Sequence, residues 1–175
     1  MLSWFSRRAA NRKLIARLLG EIIAAAREPA LFVDYGVPDS FEGRFEAMTL
    51  HATLVLRQLN AMAPPAPDLA QDLVNAIFAH LDGTLREMGV GDPTVPKKMK
   101  VLAEAFLGRG LAYDSAARAG GPALEEALRR NIYAGRGDAA RLARYVAAAG
   151  AALARAPFET FVNGPLPFPD PAGVA

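Results

Sequence analysis

Only two histidines, His51 and His80, occur in this 175-residue chain, so any imidazole catalysis or ligation must run through them. Each falls on or beside the apolar side of a helical pattern. A ligand pair needs both rings aimed at one point, with carboxylates or an open coordination position beside them. Only Asp72 and Asp82 are close in sequence. The reading is a histidine hydrogen-bonded at the edge of a core, with a haem- or metal-dependent helical enzyme using His51 and His80 as the alternative. Glu42 and Glu46 stand one helical turn apart with Arg44 between them. Paired carboxylates can divide acid and base work when burial separates their pKa values. At the start of a helix they are more simply surface acids favoured by its dipole. The run Gly89-Val-Gly-Asp-Pro imitates a phosphate loop, but such a loop follows a strand and ends in lysine then serine or threonine. Here Lys97-Lys98 precede Met99, and a helical pattern comes before the glycines. Cysteine is absent, which removes disulfides, thiolate catalysis and thiolate metal sites and fits a reducing compartment. No catalytic residue, cofactor or metal is expected.

The elements that would position these residues are helical. Apolar residues at 52% and charged residues at 22% describe an ordinary globular chain, long enough for one domain with a real core. The first helix is expected from about Arg8 to Arg27, with Leu14, Leu18, Ile22 and Ala25 on one face, widened by Ile15 and Leu19, and Pro29 ending it. Residues 30–38 read as an ordered loop. Asp39 or Ser40 caps a second helix carrying Phe41, Phe45, Met48, Ala52, Val55 and Leu59. The run Ala63-Pro64-Pro65-Ala66-Pro67 breaks it. Asp68 caps a third helix that stops at Gly89. Thr94 caps a fourth, with Met99, Leu102, Ala103, Phe106, Gly110 and Tyr113 as its buried stripe. A short helix follows Gly120-Gly121-Pro122, and a last one runs from Asp138 to about Arg155. The prolines at 157, 165, 167, 169 and 171 predict an extended tail. The expectation is an all-α, single-domain bundle of about six helices. It divides into a basic amphipathic helix over 1–28, a helical body over 29–156 and an extended tail over 157–175.

Two clusters of charge stand out against a net charge of only +2, itself too small to imply nucleic acid. Lys97, Lys98 and Lys100 crowd the start of a helix, where cations are disfavoured by about 0.3–1 kcal/mol each. An acidic partner surface accounts for them, and internal pairing with Asp92 or Glu87 is the alternative. Arg44, Arg57, Arg86 and Asp92 are candidates for the same partner-binding face. At the other cluster, Arg7, Arg8, Arg12, Lys13 and Arg17 meet no acid before Glu21 and stand beside Leu2, Trp4 and Phe5. That is the composition of an interfacial membrane anchor; a helix packed on the bundle with ordinary surface cations is the alternative. Ser6-Arg7-Arg8 imitates a twin-arginine export signal, but charges interrupt the apolar run that should follow it. No stretch approaches the roughly 20 apolar residues of a bilayer span.

Two blocks carry a family resemblance: Tyr35-Gly-Val-Pro-Asp-Ser-Phe-Glu-Gly-Arg-Phe-Glu with His51 and Arg57 beyond it, and Leu85 to Asp114, with Asn131-Ile132-Tyr133 as a weaker last piece. In that order they resemble the ubiquinol-cytochrome c chaperones, assembly factors of the respiratory cytochrome bc1 complex. The matching residues include Tyr35, Asp39, Phe41, Gly43, Arg44, Phe45, His51, Arg57, Asp82, Arg86, Glu87, Gly89, Asp92, Pro96, Lys97, Lys100 and Tyr113. The resemblance implies a helical, non-enzymatic factor that binds apocytochrome b around its insertion and haem acquisition. Organellar members carry a longer N-terminal extension than this sequence shows, so the expected setting is bacterial and cytoplasmic, peripheral at the inner membrane. A general membrane-peripheral helical adaptor stays open as the competing reading.

Overall fold

The computed structural model describes the backbone of residues 2–174 and the side chains of residues 10–174. Among the described residues every regular element is helical. They are α1 (Leu2–Ala26), α2 (Pro29–Val33), α3 (Phe41–Ala61), α4 (Ala66–Glu87), α5 (Val95–Ala119), α6 (Gly121–Ile132), α7 (Ala140–Arg155) and α8 (Phe158–Asn163), with a 3₁₀ turn at Pro171–Gly173. The six long helices are the expected ones. The two short ones lie where a loop and an extended tail were predicted. Pro29 does end α1, but proline's fixed φ also suits a first helical turn, and it opens α2.

α3 is the centre of the molecule, and α1, α4, α5, α6 and α7 all pack against it. The apolar spacing of Phe45, Met48, Ala52, Val55 and Leu59 predicts one buried face, yet Phe45 to Leu56 is buried on all sides. Of its buried polar side chains, Glu46, His51 and Thr53 find partners inside the core, Thr53 by donating back to the Thr49 carbonyl at 2.7 Å, while the Thr49 hydroxyl has none among the described residues. Ser40 caps α3 by accepting from the Gly43 amide at 3.1 Å. Gly43 is required by contact rather than by backbone freedom, because a Cβ there would lie 1.8 Å from the Pro38 carbonyl oxygen. At the end of α4, Gly89 adopts φ +80°. There the Val90 amide reaches back to the Leu85 carbonyl at 3.0 Å, which closes the helix with a left-handed cap.

Other boundaries differ from expectation. α4 starts at Ala66, ahead of Asp68, with Pro65 at its cap and no side-chain cap bond. Pro67, in the first turn, has a φ fixed near the helical value and no amide to leave unpaired, so Asp68 is not needed as a cap. Thr94 stands at the cap of α5, but its hydroxyl makes no cap bond. The buried face of α1 runs through Ile15, Leu18, Ile22 and Ala26, rotated slightly from the predicted Leu14-based stripe.

The largest departure is the segment after Pro157. Phe158–Asn163 is helical, and Phe161 and Leu166 are buried in the same core as Ile15, Leu18 and Ile22 of α1. Four prolines beyond it prevent a long helix, but they do not prevent burial. Arg17 donates to the carbonyls of Phe161, at 2.5 Å, and Gly164. Glu21, paired with Arg17 at 2.7 Å, accepts the Leu166 amide at 2.7 Å. A single i,i+4 pair on α1 thus satisfies three backbone groups of the tail, which would otherwise be left open where the helix ends. Tyr35 holds the next stretch, donating to the Pro171 carbonyl at 2.7 Å.

Candidate functional site

His51 is buried, and both ring nitrogens are engaged. Nδ1 lies 2.7 Å from the Ala47 carbonyl, which can only accept, so Nδ1 carries the proton. Nε2 therefore accepts from the Tyr145 hydroxyl at 2.8 Å. Phe168 from the tail packs edge-on against the ring at 5.2 Å between centroids. Burial pushes the imidazole down to about 4, so it stays neutral. His80 instead lies half-buried on α4, beside grooves lined by α1 and α3 residues. No described group of three or more His, Asp and Glu side chains could hold a metal ion. His51 is a core residue with both ring nitrogens hydrogen-bonded inside the fold.

The expected pair of surface acids divides. Glu42 is exposed, while Glu46 is buried on the α3 face turned toward α5. Its carboxylate accepts from Arg109 Nε at 3.0 Å, and the Tyr113 hydroxyl approaches to 3.5 Å. Burial raises the Glu46 pKa, and the Arg109 guanidinium opposes that rise. Burial, with the Glu46 charge beside it, also keeps the Tyr113 hydroxyl protonated above its ordinary range. Farther along the same two helices Arg57 pairs with Asp114 at 3.0 Å, and Arg118 pairs with Asp114 at 2.9 Å. The missed signal is a polar stripe on α3, Glu46, Thr49, Thr53 and Arg57, at spacings of three and four. It is matched on α5 by Arg109, Tyr113 and Asp114.

This arrangement explains the surface of α5. Only Val95, Phe106, Tyr113 and Ala116 of its 25 residues are buried. The predicted stripe holds at Phe106 and Tyr113, while Met99, Leu102, Ala103 and Gly110 are half-buried. Polar clamps to α3 do part of the work that apolar packing does elsewhere. The outer face is left with Val101, Leu107 and Leu111 at 64%, 60% and 75% exposure. Between α3 and α5 runs a groove of about 580 Å³, lined by Leu56, Phe106, Leu107 and Leu111, with Arg57 and Arg118 at its polar wall.

The expected partner-binding residues separate into two kinds. Arg86 is bonded to Asp82 at 2.7 Å and also to Asp92, so it staples the turn between α4 and α5. Arg44 is held by Asp39 at 2.7 Å, near the opposite end of α3 from Arg57. These side chains do not gather on one face. Lys97 and Lys98 are exposed and have no ion pair among the described residues, and Lys100 has only a loose one to Glu104 at 3.9 Å. The internal pairing weighed for the lysines is not formed: Asp92 is taken by Arg86. Of the expected membrane-surface residues, Trp4, Phe5, Arg7 and Arg8 lie outside the described side chains. Arg12 and Lys13 are exposed, and Arg17 is committed to the tail. Among the described residues no helix is long and apolar enough to cross a membrane.

The bundle's polar groups staple its own turns, and α5 leaves an apolar face with exposed lysines uncovered. The chain belongs to the ubiquinol-cytochrome C chaperone family, whose model matches residues 33–168. It is also similar to the crystal structure of the Cbp3 homolog from Brucella abortus, at 35% identity over 99% of each chain with a TM-score of 0.88. Comparison with curated proteins returned no match.

Proposed function

We propose that this protein is a non-enzymatic assembly chaperone of the cytochrome bc1 complex that binds apocytochrome b before the complex is complete. The observation that carries the reading is the family match across residues 33–168, supported by the likeness to the Cbp3 homolog along nearly the whole chain. The uncovered face of α5 is in keeping with it: a membrane-protein client offers apolar helices, and chaperoning them calls for exposed apolar surface that an ordinary monomer avoids. Lys97, Lys98 and Lys100 contribute charge to the same helix without stabilising it. The protein works at the cytoplasmic face of the inner membrane, where Arg7, Arg8, Arg12 and Lys13 attract anionic lipid.

Deleting the gene and measuring bc1 content against other respiratory complexes tests the role. A selective fall in bc1 with undiminished levels of the other complexes supports it, and unchanged bc1 overturns it. At residue level, Lys97→Glu with Lys98→Glu should weaken capture of newly made apocytochrome b by about tenfold, the scale of a modest interface contact. Its melting temperature should not fall and should rise slightly, because neither lysine has an internal partner to lose and an acid suits the start of a helix. Undiminished capture removes these lysines from the contact.

A further inference from the structure

The groove between α3 and α5 has two features that specify an occupant. One is an apolar ridge, Leu107 and Leu111, one turn apart and both more than half exposed. The other is an unbalanced charge at the end of the groove. Asp114 is shared by Arg57 and Arg118, with ion-pair distances of 3.0 and 2.9 Å, so two guanidinium groups meet one carboxylate. Arg118 keeps a side-chain exposure of 69%, so it can take a second anion without being uncovered first. The charge of α5 as a whole points the same way, five cations against two acids, in a chain whose entire net charge is only +2.

We infer that this groove receives an amphipathic helix of a partner protein, with apolar side chains seated along Leu107 and Leu111 and a carboxylate taken by Arg118 and Arg57. Helix-in-groove recognition uses apolar anchors at spacings of three, four and seven residues, which matches the spacing of the ridge. The groove, at about 580 Å³, has room for such side chains, and Phe106 and Leu56 are among its apolar lining. A flat lipid surface fits less well. The groove beside the apolar ridge is walled by Thr53, Gln58 and Asn60, which offer hydrogen bonds rather than contact with lipid chains. The inference goes beyond the proposed function, since it names the chemistry of the bound segment whichever protein carries it.

The test uses labelled synthetic helices of about 18 residues, five turns. One has a leucine stripe flanked by glutamates, a second has lysines in place of the glutamates, and a third has the stripe scrambled. Binding to the full chain is followed by fluorescence anisotropy, beside co-sedimentation with anionic vesicles. The acidic amphipathic helix should bind at least about tenfold more tightly than the other two. Leu107→Ser with Leu111→Ser should weaken it by about tenfold or more, and Arg118→Glu should narrow the gap between the acidic and basic helices. Leu107 and Leu111 are exposed, so circular dichroism and melting of the leucine variant should match the parent, whereas Arg118→Glu gives up its pair with Asp114 and should keep its circular dichroism while melting slightly lower. Vesicle binding should be the same in the parent and the leucine variant. Equal affinity for acidic and basic helices, or insensitivity to the leucine pair, overturns the inference. Loss of vesicle binding in the leucine variant also overturns it and assigns the ridge to lipid.

Discussion

At the scale of single residues, His51 shows how a polar group can belong to the core without serving a site. It is neutral because burial keeps water from solvating a charge on the ring, an effect that outweighs the Ala47 carbonyl, which favours the protonated form. Its folded-state value of about 4 lies below its ordinary 6.5, so the unfolded chain binds more protons between those limits. The stability it confers is complete above about pH 6.5 and is lost as the pH falls toward 4, amounting to about 3 kcal/mol. Glu46 acts with the opposite sign. Its raised carboxyl value favours the protonated native state, and that contribution is lost as the pH rises through it. Urea unfolding at neutral and acidic pH separates the two, because Glu46 is common to parent and variant. His51→Gln should be less stable than the parent at pH 7, and its stability should fall less steeply on acidification. An unchanged pH slope would show that His51 is protonated in the folded protein.

At the scale of elements, the pairing of α3 with α5 depends on charge inside the bundle. Breaking a buried pair from one side leaves the other charge stranded, at a cost of about 3 kcal/mol or more, whereas removing both leaves neither. Arg109→Met should therefore destabilise by about that amount, and Glu46→Gln combined with Arg109→Met should recover most of it. A double-mutant cycle by chemical denaturation measures the coupling, and additive losses would mean that Arg109 is held by solvent instead. This pairing also marks where the sequence could and could not be read. Six long helices, the Ser40 cap and the Gly89 stop follow from local spacing and capping chemistry, and each is where it was expected. Helical periodicity in α3 identified its apolar face but not the burial of its polar one, because satisfaction by Arg109 and Tyr145 comes from partners 63 and 94 residues away. The same limit hid the packed tail: proline composition speaks about backbone conformation, while Arg17 and Glu21 decide where that backbone goes.

For the molecule as a whole, the motif residues mostly hold the fold. Tyr35 anchors the tail, Gly43 admits Pro38, His51 fills the core, and Arg86 staples a turn. The proposed binding falls to positions that nothing inside requires, the lysines and apolar ridge of α5, and the proposed membrane attachment to the basic residues of α1. Membrane attachment through that start should be electrostatic and reversible. The full chain should sediment with anionic vesicles at low salt and leave them at high salt, where screening shortens to a few ångströms, about 3 Å at 1 M. Replacing Arg7, Arg8, Arg12 and Lys13 by glutamine is the informative variant, since removing α1 would also remove Ile15, Leu18 and Ile22 from the core. Vesicle binding that survives this replacement would place attachment elsewhere, and parent protein that ignores anionic vesicles would end the membrane proposal.

The clamp that Arg17 and Glu21 place on the tail also sets an order of events during synthesis. Arg17 and Gly164 are 147 residues apart, so this contact can close only when nearly all the described chain has left the ribosome. At about 5–20 residues per second, α1 waits on the order of ten seconds for its last partner. Through that interval Arg17 and Glu21 face water in a growing chain, and Phe168 has not yet covered His51. The finished bundle and the nascent one therefore present different surfaces at the same end of α1, and only the finished one has its two distant segments tied together.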